Sequence, residues 1–178
     1  KKSPVLFSLS FLLMGVTTLH AQDGFTSKYK LREVIVSHTD ENGILQLFRM
    51  QEDGSNRRQL THSEQGCRMP AWSPNGKKLV YVKQVNHSLL LWLSDIDGNN
   101  SRSLTSEGIN LLPSWLPDSR HIVWMKTQPR NKRQDPAYNS QLHIIDTKTG
   151  NSRRLFSDEN QIKFSNAMPS ISPSGRKI

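Results

Sequence analysis

The residues of this chain that could do chemistry are few and far apart. Its histidines, His20, His38, His62, His87, His121 and His143, show no metal-ligand spacing and read as packing or solvent-facing side chains. Only a fold that gathers distant segments around a pore would bring several of them together. Cys67 is the sole cysteine, so no intramolecular disulfide forms, and stability must come from packing. With no activating partner in view, Cys67 reads as a small buried hydrophobe rather than a nucleophile. No Gly-x-Ser-x-Gly elbow, P-loop or cysteine-pair motif is present.

One candidate remains, the segment TQPRNKRQDPAYNS from Thr127 to Ser140. Arg130, Lys132 and Arg133 make it basic, and Tyr138 adds an aromatic. Such a loop suits an acidic peptide, an anionic lipid headgroup or a polyanionic glycan; a solvated insertion has the same composition. No residue is assigned to catalysis, to a cofactor or to a metal.

The elements that position these residues follow from the rest of the chain. Its 178 residues are enough for a real core, and the formal charge of +9 raises nucleic acid or acidic lipid as partners. Two of those charges, Lys1 and Lys2, lead a segment that reads as a secretory signal over residues 1–21. Val5 to Val16 is its apolar stretch, too short to span a bilayer, and Ala21 is placed as the last residue before cleavage. The large Leu19 leaves the exact cleavage position open, and an uncleaved signal is the only membrane attachment expected. Export places the protein in the periplasm or outside the cell, which removes nucleic acid from the expected partners. Residues 22–32 form a lead-in.

From residue 33 onward the chain repeats itself. PAWSPNGKKLVYV (Pro70–Val82) returns as PSWLPDSRHIVWM (Pro113–Met125), and begins again as PSISPSGRKI (Pro169–Ile178). A second motif keeps step: EDGSNRRQLT (Glu52–Thr61), IDGNNSRSLT (Ile96–Thr105) and KTGNSRRLF (Lys148–Phe156). Pro70 and Pro113 stand 43 residues apart, and Pro113 and Pro169 stand 56 apart. Each unit divides into four short strands. In the first complete unit these are Met69–Ser73, Lys78–Lys83, Leu89–Ser94 and Ser101–Thr105, separated by Ser-Pro-Asn-Gly and Asp97-Gly98 turns. In the next they are Leu112–Leu116, His121–Lys126, Gln141–Asp146 and Ser152–Phe156. Glu33–Ser37, Ile44–Met50 and Arg57–Thr61 make an earlier unit without a first strand. Four strands at a period of about 40–45 residues define a β-propeller blade. The fold class is therefore all-β, with blades expected at 33–61 (partial), 69–105, 112–156 and 168–178 (a beginning).

Pro-x-Trp-Ser-Pro-Asn/Asp-Gly, then a hydrophobic strand, Asp-Gly and Arg-x-Leu-Thr, resembles the WD-like propeller repeat of the TolB family. The residues that carry the likeness are Pro70, Trp72, Ser73, Pro74, Gly76, Asp97, Gly98, Leu104 and Thr105, with Pro113, Trp115, Pro117, Pro169, Pro173 and Gly175 in later copies. Leu116 and Ser119 replace the usual Ser and Gly in the second copy, and Ile171 replaces Trp in the third. The resemblance implies that these residues build blades and carry no chemistry, and that a complete ring has six blades. About three and a half blades are accounted for, so the sequence reads as the N-terminal part of a longer protein. It also implies an exported, non-catalytic scaffold with protein partners in the cell envelope, as in Tol-Pal-type transport, and no cofactor. The alternative is the propeller domain of a larger enzyme, a prolyl-oligopeptidase-like serine peptidase or an oligogalacturonate-lyase-like protein.

In such blades the Ser-Pro-Asn-Gly and Asp-Gly turns fall on one face. The second-to-third strand loops and the blade-to-blade connections fall on the other: Asn86–Ser88, Thr127–Ser140, His62–Arg68, Ser106–Asn110 and Ser157–Ala167. A ligand is expected on that second face.

Overall fold

The computed structural model describes residues 31–127, 140–156 and 169–178. All regular secondary structure among them is β-strand: β1 (Glu33–Thr39), β2 (Leu45–Gln51), β3 (Arg58–Gln59), β4 (Cys67–Trp72), β5 (Lys78–Val85), β6 (Ser88–Asp95), β7 (Arg102–Ser103), β8 (Ile109–Trp115), β9 (His121–Thr127), β10 (Ser140–Asp146) and β11 (Ser152–Arg154).

Antiparallel pairing groups the strands into three blades. The first is β1-β2-β3, without an inner strand; the second is β4-β5-β6-β7; the third is β8-β9-β10-β11. A single parallel bridge, Leu89 with Ile109, ties the second blade to the third. Pro169–Ile178 contributes a further turn, in which Gly175 N donates to Ser172 O (2.8 Å) and Ser172 N to Lys177 O (2.9 Å).

The core lies between the blades because strand alternation sends side chains to both faces. Val80, Val82, Leu91 and Leu93 of the second blade pack against Trp115, Ile122, Trp124 and Ile145 of the third. Leu79, Tyr81 and Cys67, on the opposite face, pack against Leu47 and Leu60 of the first.

The inner strands start at Cys67 and Ile109, ahead of the expected Met69 and Leu112, because pairing with the second strand continues on the far side of a bulge. Pro70 and Pro113 each sit in a β-bulge. Met69-Pro70 together oppose Tyr81, and Leu112-Pro113 oppose Trp124, as the registers break between Arg68 and Ala71 and between Leu111 and Ser114. A missing backbone N–H is harmless where the ladder is already interrupted. Met69 and Leu112, just before the prolines, both have φ of 53°. That left-handed backbone costs an L-residue about 1–2 kcal/mol, so the surrounding pairs must hold it.

The outer strands are shorter than expected, and in the first two blades a side chain replaces the backbone at their end. Leu60 N donates to Leu47 O (2.8 Å) and Leu104 N to Leu91 O (2.7 Å). The next rung is a threonine hydroxyl: Leu47 N donates to Thr61 Oγ1 (2.9 Å), and Leu91 N to Thr105 Oγ1 (3.0 Å). Arg-x-Leu-Thr is thus a strand-closing device. Phe156 stands in the third copy and has no oxygen to offer.

Candidate functional site

The two ends of the blades differ in construction. At one end the turns are tight and stitched to one another. Ser73 Oγ accepts from Lys78 N (2.9 Å), Asn75 Oδ1 accepts from Lys77 N (3.1 Å), and Gly76 N donates to Ser73 O (2.8 Å). The second copy reaches the same geometry by other means. Asp118 Oδ1 accepts from Arg120 N and His121 N, both at 2.9 Å, in place of the serine hydroxyl, and Ser119 takes the positive φ (56°) in place of glycine. Asn75 N then donates to Ser119 Oγ (3.0 Å), joining the two blades, and Pro117 lies against Gly175 of the next turn.

The third-to-fourth strand turns complete that face. Asp95 Oδ1 accepts from Asp97 N (3.1 Å) and Asn99 N (2.8 Å), the local geometry that an Asp places in a turn. Asp97 receives Arg49 of the first blade at 3.0 Å, and Arg49 also grips Glu33 at 2.7 Å. In the third blade Arg120 binds Asp146 through two bonds, at 2.9 and 2.6 Å, and holds that carboxyl well below the usual carboxylate range. Arg102 reaches from the second blade to Thr147 O. These contacts commit the polar groups of this face to architecture.

At the opposite end lie the blade connections. Gln84 N donates to Gly66 O (3.0 Å), Leu89 N to Gly108 O (3.0 Å) and Asn86 N to Gln65 Oε1 (2.5 Å), so the β3–β4, β5–β6 and β7–β8 links converge here. Thr127 and Ser140, whose hydroxyls pair at 3.0 Å, end their strands at the same side of the third blade. The β5–β6 hairpin has only Asn86 and His87 between its strands, whereas residues 128–139 separate β9 from β10. Arg130, Lys132, Arg133 and Tyr138, the candidate contact residues, belong to that segment and lie outside the described residues.

Cys67 is buried beside Thr61 and Ser63, and burial pushes its thiol pKa up, away from the reactive thiolate. Tyr81, its neighbour, is pushed up to about 12 by burial. Among the described residues no group of three His, Cys, Asp or Glu side chains is placed to hold a metal ion. The repeated tryptophans serve packing: Trp115 Nε1 donates to Ala71 O of the neighbouring inner strand (3.0 Å), and Trp124 Nε1 to buried Asn110 Oδ1 (2.9 Å).

Sequence reasoning passed over one feature. A cleft of about 670 Å³ opens between the second and third blades, with Trp124, Lys126, His143, Glu107 and Arg153 in its walls. His143 had no sequence signal as an isolated histidine. Superposing the third strands of the two copies would have singled it out, because His143 falls where Trp92 stands.

This architecture, stacked antiparallel blades with inter-blade cores, defines a β-propeller. The family model described as "TolB beta propeller domain" matches residues 32–165, and the chain belongs to that family. Among curated relatives, the "Tol-Pal system protein TolB" of Thioalkalivibrio sulfidiphilus is 36% identical over 91 residues, covering 49% of this chain. The match covers 21% of that relative, so the chain spans about a fifth of its length. TolB from Acinetobacter baumannii superposes with a TM-score of 0.56 at 23% identity, over 72% of this chain and 31% of that one. An oligogalacturonate lyase crystallised with manganese gives 0.50 at 22% identity, over 73% and 36%. These two structural likenesses show the fold.

Proposed function

We propose that this chain is part of an exported, non-catalytic propeller whose connection face binds a protein of the cell envelope. The family membership supports the scaffold, and the name of the Thioalkalivibrio relative points to a Tol-Pal component as the partner. The observation that carries the reading is the asymmetry between the two ends of the blades. Turn-face polar groups are bonded within their turns and, through Arg49–Asp97 and Asn75–Ser119, between blades, while Thr127 and Ser140 at the connection end bracket the sequence that holds Arg130, Lys132, Arg133 and Tyr138. A basic segment with an aromatic suits an acidic protein surface, with aromatic and arginine side chains as the usual anchors of such contacts. The periplasm is the matching compartment, reached through the signal at residues 1–21. Anionic lipid and glycan use the same chemistry and serve as controls.

The test is cross-linking of the purified protein to envelope extract, with the captured proteins identified by mass spectrometry. A Tol-Pal component is expected, and replacing Arg130, Lys132, Arg133 and Tyr138 together with serine is expected to lower its recovery about tenfold. Capture of no envelope protein, or turnover of a peptide or uronide substrate by the purified protein, would overturn the reading.

A further inference from the structure

The two complete inter-blade junctions are built from equivalent residues, and they end differently. Tyr81 and Trp124 both oppose the inner-strand bulge, and their third-strand partners are Trp92 and His143. Two residues further along the second strands stand Lys83 and Lys126. At the first junction Lys83 Nζ lies 4.4 Å from the Trp92 ring centre. At the second junction the smaller His143 replaces the indole, its ring 5.2 Å from that of Trp124. Lys126 has no third-strand indole to cover, and it reaches Glu107 at 3.6 Å instead. Beside His143, with Trp92 also in its wall, opens the cleft of about 670 Å³, a size usual for small-molecule sites.

Charge in the cleft is unbalanced. Lys126, Arg153 and half-buried His143 line it, and the opposing carboxylate, Glu107, is 80% exposed. Such an exposed partner contributes little neutralisation. Arg154, next along β11, adds to the positive field, and Ser106 and Ser152 add hydroxyls to the wall. We propose that this cleft binds a small organic oxyanion, its carboxylate or phosphate group held by Lys126 and the protonated ring of His143. The site is lined by residues of the second and third blades, and the proposal stands independently of the partner proposed above.

The facing groups set the expected pH dependence. Burial first, and then the charges of Lys126 and Arg154, lower the His143 pKa below its ordinary value. An anion seated among these groups offsets the field, so binding takes up a proton at His143 and strengthens as pH falls. Glu107, on the β7–β8 connection, is the one acidic group on the wall and acts in the opposite sense.

The test uses the purified chain and two probes, inorganic phosphate and citrate, read through the Trp124 indole and His143 ring NMR signals. Saturable shifts of both signals are expected, with affinity about tenfold weaker at about pH 8 than at about pH 5.5. His143→Trp, which copies the filled junction, is expected to abolish the Trp124 shift while leaving the thermal transition in place. If that variant fails to fold, Lys126→Gln provides the second reading, with an expected loss of about tenfold in affinity. Absence of saturable shifts with either probe would overturn the proposal. So would binding that is independent of pH, or unchanged in Lys126→Gln.

Discussion

At the residue scale, the same side chain has different weight in different copies, and its neighbours decide which. Gly54 and Gly98 occupy equivalent Asp-Gly turns, and both have φ of 83°. An added Cβ at Gly54 would meet nothing within 4 Å, whereas at Gly98 it would lie 2.3 Å from Leu60 O of the first blade. Gly98 is thus a contact between blades as well as a turn residue. Gly54→Ala is expected to cost about 1 kcal/mol, the conformational term alone. Gly98→Ala is expected to cost about 3 kcal/mol or more, because backbone must also shift. Chemical denaturation of the two variants measures the difference, and equal costs would mean that the blades do not meet there.

At the element scale, the outer strand of each blade is two or three residues long, and two of the three are extended by a hydroxyl. Thr105→Val keeps the shape and removes the acceptor for the amide of Leu91, whose side chain is fully buried. A loss of about 1–3 kcal/mol is expected, with faster amide exchange at Leu91. Unchanged exchange there would remove the threonine from this role. The strands themselves were legible because Lys78–Lys83 and Leu89–Ser94 are rich in β-branched and large apolar residues between strong turn signals. The bulges were hidden, since Met69 and Leu112 look like ordinary strand residues and their left-handed backbone comes from pairing with the second strand. Compensation was hidden too: Asp118 and Ser119 rebuild a turn whose expected residues are absent. The cleft was hidden for a third reason. Its wall gathers residues of two blades, Glu107 with Lys126 and His143, which are distant in sequence and share no motif.

At the scale of the whole molecule, the described blades are joined by an apolar core and by polar bonds to the turns at each junction, Arg49 to Asp97 and Asn75 to Ser119. A rigid array of this kind presents its loops at fixed spacing. The central claim is that the turn face is architecture and the connection face meets the partner. Hydrogen–deuterium exchange of the protein with and without a captured Tol-Pal component tests it most directly. Protection is predicted in peptides covering residues 62–66, 106–108 and 127–140, with no change at 74–76, 97–99, 118–120 and 148–150. Protection confined to the second set would contradict the account.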